Sequence, residues 1–168
     1  MSALSEANHI LIVYASQSGS TTALAQAVRR GAQRGASTQV RMLHGVQAGI
    51  QDLLWCDALV FATPENFGYM AGAVKDFLDR TYHPAQGRVD RLPYAVVVSA
   101  GNDGRSAIEH LQRIARGFPL EQVAEPIRVV GEVQGAHLEA CEGLGEVLSA
   151  GLELGIHPRP RRRGVRDD

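Results

Sequence analysis

The chain has 168 residues and a mass of 18.1 kDa, the size of one ordinary domain, so a separate substrate domain is not expected within it. Its 45% hydrophobic and 21% charged residues exclude disorder over the bulk of the chain. Seventeen basic against 18 acidic residues give a net charge of -1, so the chain lacks the electrostatic footprint of a nucleic-acid binder. No apolar run reaches the length of a membrane span. The N-terminal stretch MSALSEANHILIVYAS has neither a basic n-region nor a cleavage site, so a cytoplasmic location is expected. Cys56 and Cys141 form no CxxC and no metal pattern, and both are expected as reduced thiols.

In chain order, residues 9–14 (HILIVY) form an apolar run suited to a strand buried on both faces of a parallel sheet. A helix is expected over 21–34, from a Ser/Gly cluster to Gly35. Residues 38–43, interrupted by Arg41, read as an edge strand. A short helix is expected over 47–54, and a central strand over 57–62. Residues 69–81 place Met70, Val74, Phe77, Leu78 and Thr81 on one helical face. Residues 94–99 form a third central strand, and 106–116 a helix with Ala107, Leu111, Ile114 and Phe118 together. Residues 126–130, with Arg128, read as the second edge strand. The last helix, 136–154, carries Leu138, Cys141, Leu148 and Leu152 on one stripe. It also contains Gly143, Gly145 and Gly151, each costing about 1 kcal/mol against Ala unless they allow close packing on the sheet. Residues 1–156 form the domain, and 157–168 (HPRPRRRGVRDD) read as a basic, disordered tail.

Alternating strands and helices imply an α/β fold, a five-stranded parallel sheet with helices on both faces in three layers. Strand order 2-1-3-4-5 puts the two charged runs at the edges and the switch point between the first and third strands. Ligands of such sheets bind beyond the carboxyl ends of the strands, so three loops matter. The first is Ser16, Gln17, Ser18, Gly19, Ser20, Thr21 and Thr22, which opens a helix. Free N–H groups at a helix start favour an anion, and five hydroxyls can donate to phosphate oxygens. Neither a GxxxxGKS/T nor a GxGxxG pattern occurs, so the loop suits a terminal monophosphate rather than an NTP or a dinucleotide. The plainer reading is a Ser-capped helix with spare hydroxyls. The second loop runs Thr63, Pro64, Glu65, Asn66, Phe67 and Gly68; the third runs Ser99, Ala100, Gly101, Asn102, Asp103 and Gly104. Their glycines let backbone approach a flat ligand, although Gly, Asn, Asp and Pro are turn residues in any case.

Ser16-Gln17-Ser18-Gly19-Ser20-Thr21 resembles the phosphate loop of flavodoxins. Ala62 to Gly68, followed by Met70-Ala71-Gly72-Ala73-Val74-Lys75-Asp76-Phe77-Leu78-Asp79-Arg80, is similar to the NAD(P)H-dependent FMN reductases. It is also similar to quinone reductases of the tryptophan-repressor-binding-protein type. The resemblance covers residues 9–131 and implies the flavodoxin-like fold and an FMN ligand. Ser16, Ser18, Gly19, Ser20, Thr21 and Thr22 would hold the phosphate. The stretch from Thr63 to Gly68 would border the ribityl chain and ring, and that from Ser99 to Gly104 would line the other side. Backbone N–H groups near Asn66, Phe67 and Gly101 would bond the ring. Glu65 and Asp103 are candidate carboxylates near it, or turn and cap residues; His137 is a candidate neighbour at the ligand end. Phe67 and Tyr69 would shape the ring pocket or meet a neighbouring subunit, and a homo-oligomer is left open.

The resemblance implies a reductase in which NAD(P)H is the hydride-donating substrate, FMN the cofactor, and a quinone or another flavin the small-molecule acceptor. No catalytic acid, base or nucleophile is needed, because the flavin carries the chemistry. A one-electron carrier for partner proteins is the alternative. Near-neutral charge gives such a carrier little electrostatic steering, and the third loop has no aromatic ring to stack on a flavin.

Overall fold

A computed structural model describes residues 6–160. Residues 8–14 pair in parallel with their neighbours on both sides, forming strand β1 (Asn8–Tyr14) in the interior of the sheet. Beside it lie β2 (Thr38–His44) on one flank and β3 (Ala58–Asn66) on the other. Strand β5 (Pro93–Ala100) pairs with β3, and the far edge is made in two pieces, β6 (Glu121–Gln122) and β7 (Ile127–Val130), both parallel to β5. The five expected strands therefore stand in the expected order, with the fifth broken around Pro126 and one short strand added. That addition is β4 (Tyr69–Met70), antiparallel to the end of β3.

Among the described residues, five helices cover the sheet: α1 (Ser20–Ala32), α2 (Ile50–Trp55), α3 (Gly72–Ala85), α4 (Arg105–Gly117) and α5 (Gly135–Glu153). Alternation along the strands divides the core. Ile10, Ile12, Val60 and Val97 pack under α1 and α5. Leu11, Val13, Phe61, Val96 and Val98 pack under α2, α3 and α4. Among the described residues no helix is long and apolar enough to cross a membrane.

Two expectations about the 60s and 70s need correcting. Residues 63–66 are not loop: β3 continues through them into a hairpin whose two-residue turn is Phe67-Gly68. Pro64 is tolerated because β1 has ended. The Ala62 carbonyl still accepts the Ala15 N–H, and Pro64, two residues on, faces the same vacated side. The helix expected from 69 consequently starts at Gly72, yet Met70, Val74, Phe77, Leu78 and Thr81 are all buried as the spacing requires.

The glycines of α5 do allow close packing, but against α1 rather than the sheet. A Cβ on Gly145 would lie 2.1 Å from the Val28 carbonyl oxygen, and one on Gly31 1.9 Å from that of Glu142. Arg30 and Arg34 pair with Glu142 across this contact, and Arg34 also with Glu146. The tail expectation falls mostly on residues 161–168, outside the described residues. Of its first part, His157 lies against Gly151 of α5.

Candidate functional site

The ends of β1, β3 and β5 stand side by side, Tyr14 beside Ala62 and Ala62 beside Val97, so all three candidate loops leave one end of the sheet. They frame an open cleft of about 250 Å³ lined by Ser18, Ser20, Pro64, Glu65, Ser99, Ala100, Gly101 and Gly131. Among the described residues, larger hollows of about 570 Å³ between α3 and α4, about 530 Å³ at the amino end of the sheet and about 400 Å³ at residues 122–125 also occur. None of these combines a free helix start with hydroxyls, so the smaller cleft is the chemically equipped one.

Its first wall is built by Gly19. At φ +93° it adopts a left-handed conformation that suits glycine, and no side chain caps α1 there. The first helical bond runs from Ala23 N–H to the Gly19 carbonyl, so the N–H groups of Ser20, Thr21 and Thr22 have no partner within the helix. No acidic residue occupies the first turn. The Ser16 hydroxyl accepts the Gly19 N–H at 3.1 Å and shapes the loop, and Ser18 donates to the Ser20 hydroxyl at 3.3 Å. Thr21 differs from its neighbours. It is buried, and its hydroxyl meets that of Ser99 at 2.8 Å, tying the loop to β5 from inside instead of opening to the cleft. Thr22 is half-buried.

The second wall is the β3–β4 hairpin. Thr63 is fully buried: its hydroxyl accepts the Ala71 N–H at 2.9 Å and donates to the Pro64 carbonyl at 2.9 Å, holding the hairpin rather than a ligand. Glu65 is a cap, the plainer of its two readings. Oε1 accepts the Gly104 N–H at 3.0 Å and Oε2 the Ala107 N–H at 3.1 Å, across to the start of α4. Asn66 is half-buried and pairs with Tyr69 across the hairpin. Phe67 sits at the turn with φ +52° and is 108% exposed, while Gly68 follows at φ +72°. Neither lines the cleft. Tyr69 turns away to contact the His110 ring, at 4.8 Å between centroids, and lines the α3–α4 hollow.

The third wall brings Ser99, Ala100 and Gly101 to the cleft, with Gly101 and Asn102 exposed. Asp103 faces outward to Arg105 at 2.7 Å, and Arg128 of β7 donates to the Asp103 carbonyl at 2.6 Å. Gly104, at φ +87°, is buried and begins α4. His137 does not reach the site; its Nδ1 accepts the Gln134 N–H at 3.0 Å and caps α5. The loop after β7 was missed by sequence reasoning. Gly131 lines the cleft and donates its N–H to the Ala100 carbonyl at 2.8 Å. It follows the last strand at the ligand end, so the rule that located the other loops would have found it.

The donor set fits FMN. One end offers an uncapped helix start with Ser18 and Ser20 for a phosphate dianion, and the other offers glycine-rich backbone for a flat ring.

Comparison with known proteins agrees with this chemistry. Residues 8–133 match the family model of the NADPH-dependent FMN reductases. A flavodoxin of Aquifex aeolicus is 30% identical over 95 residues, covering 56% of this chain and 51% of that protein. The chain thus spans about half the length of that curated relative. Among solved structures, a flavodoxin from the domain Archaea superposes with a TM-score of 0.77 at 19% identity, covering 86% of this chain and 99% of that one. A flavodoxin-fold WrbA-like protein from Agrobacterium tumefaciens gives 0.72 at 19% identity, with 88% and 99% covered.

Proposed function

From the premise that the chain belongs to the NADPH-dependent FMN reductase family and is an FMN-dependent oxidoreductase, we propose that it moves electrons from NAD(P)H to a quinone or a second flavin. The redox chemistry, accepting a hydride and delivering electrons, is supplied by FMN when bound. In this reading the chain binds and orients. The N–H groups of Ser20, Thr21 and Thr22, with the hydroxyls of Ser16, Ser18, Ser20 and Thr22, hold the phosphate. Thr21 acts there through its backbone alone. The backbone of residues 64–66 and 99–102 borders the ribityl chain and ring, with Gly131 joining them. Thr63, Phe67, Gly68, Asp103 and Gly104 shape these walls from outside the cleft. The domain is residues 1–156 of a cytoplasmic protein, and its partners are small molecules.

One observation carries the choice of a reductase: none of the residues lining the cleft is aromatic, and Phe67 points into solvent. A ring bound here keeps a face open to a nicotinamide and then to a flat acceptor. Sequential use of one face implies ping-pong kinetics. The second reading, a one-electron carrier, is favoured by the relatives named flavodoxin. Against it, a net charge of -1 provides little long-range steering toward a partner protein.

Anaerobic mixing of the FMN-loaded protein with NADH and with NADPH separates the two. Rapid bleaching by two electrons, reversed by benzoquinone, is the expected result. If neither nucleotide bleaches the flavin, and chemical reduction proceeds in two well-separated one-electron stages, the carrier reading replaces the reductase.

A further inference from the structure

Of the helices that begin at the cofactor end of the sheet, α1 and α4 each have a left-handed glycine as N-cap without a side-chain cap of its own. They are nevertheless treated differently. The start of α1 is open. That of α4 is closed from a distance: Glu65, some 40 residues earlier in β3, places one carboxylate oxygen on Gly104 N–H and the other on Ala107 N–H. Both oxygens are thereby committed to the far wall of the cleft. Among the described residues, Glu65 is also the only charged residue lining that cleft, and it takes part in no ion pair.

We propose that Glu65 is a positioning residue for FMN: its carboxylate ties the β3–β4 hairpin to the first turn of α4, fixing the gap that receives the flavin ring and leaving a single negative charge beside it. The inference rests on the placement of ring and phosphate given above. Two consequences follow from the geometry. First, among the described residues these two are the hydrogen bonds that join the hairpin to α4, beside the ring contact of Tyr69 with His110. Losing both charge-assisted bonds therefore loosens the ring end of the site and not the phosphate end, which is built on α1. Second, α4 loses its closure, and its free N–H groups become a second place where an anion is attracted. The charge has its own effect. Reduced flavin carries more negative charge than oxidised flavin, so a fixed carboxylate disfavours the reduced form.

The test uses the full chain stripped of flavin, with dissociation constants for FMN and for riboflavin, which lacks the phosphate. Glu65→Ala is expected to weaken both flavins by the same factor, on the order of tenfold, because the damage is at the ring. Glu65→Gln keeps the size and one of the two bonds. It is expected to fold, to bind both flavins a fewfold more weakly, and to raise the two-electron midpoint potential of bound FMN. A tenfold shift in favour of the reduced form would appear as about 30 mV. A purely structural role would leave that potential unchanged. Unchanged affinity for both flavins in Glu65→Gln and Glu65→Ala overturns the proposal, and so does weakening confined to FMN or an unmoved potential. Failure of the underlying site assignment has a separate signature, in which the unaltered chain binds FMN no better than riboflavin.

Discussion

Replacing Gly145 by Ala should destabilise the protein, whereas the same change two residues earlier in the same helix should stabilise it. A Cβ at Gly145 meets the Val28 carbonyl oxygen at 2.1 Å, the Ala32 nitrogen at 2.5 Å and the Gly31 carbonyl carbon at 3.0 Å. All three are backbone atoms, so no side chain can rotate away, and α5 must retreat from α1 by more than 1 Å. That retreat loosens the contacts among Leu24, Val28, Leu144 and Leu148. Overpacking of this kind costs about 3 kcal/mol. The gain in helix propensity from Gly to Ala returns about 1 kcal/mol, leaving a net loss of about 2 kcal/mol. At Gly143 a Cβ meets nothing within 4 Å, so only the gain of about 1 kcal/mol remains. Urea unfolding reads both changes. With an m-value of about 2 kcal/mol/M, Gly145→Ala lowers the midpoint by about 1 M and Gly143→Ala raises it by about 0.5 M. Equal shifts in the two variants, or a neutral Gly145→Ala, would refute the close helix contact as the reason for the glycine.

Further outcomes follow from the cleft and the core. FMN should bind more tightly than riboflavin, and Ser18→Asp should weaken FMN at least tenfold by setting a like charge against the phosphate while leaving riboflavin unaffected; titration of the flavin-free chain checks both. Changing Cys56 and Cys141 together to Ala should leave reductase turnover largely intact, and complete loss of turnover with FMN still bound would give one of them a chemical role. Burial pushes the Cys141 thiol from 9.0 up to about 12. The unfolded chain then releases this proton from about pH 9 while the folded chain keeps it, so stability declines as pH rises from 9 toward 12. Urea midpoints across that range should fall less steeply in Cys141→Ala than in the unaltered protein.

The central strands were legible because residues 9–14, 57–62 and 94–99 are apolar on both faces, a pattern only a doubly covered sheet explains. Arg41 and Arg128 marked the edges for the opposite reason. The hairpin at 67–68 was hidden because its turn needs two residues of positive φ, and Phe is a poor advertisement for one. Pro64 read as loop, since nothing local reveals that the neighbouring strand has already ended. The cleft was located by topology, but the division of labour within it was not visible in the sequence. Thr21 and Thr63 look like ligand hydroxyls in a string of such residues, and only tertiary burial turns them inward toward Ser99 and Ala71. Glu65 could be narrowed to ring neighbour or cap. Its actual partners, Gly104 and Ala107, lie too far along the chain for any spacing rule to connect them.

The broken far edge of the sheet bears on how copies of this chain can associate. An uninterrupted outer strand is a template for another chain's backbone, and the two edges here differ in that respect. On one side β7 and β6 are separated at residues 123–126, where Pro126 has no N–H to offer. On the other, Arg41 projects from β2, its guanidinium 4.0 Å over the Trp55 ring and 3.1 Å from Asp52. A ladder extended across the β6–β7 edge would lose register at the gap, so that edge is a poor place for a second copy of this chain to add a strand, whereas β2 runs unbroken over seven residues and keeps its paired charge on the sheet face.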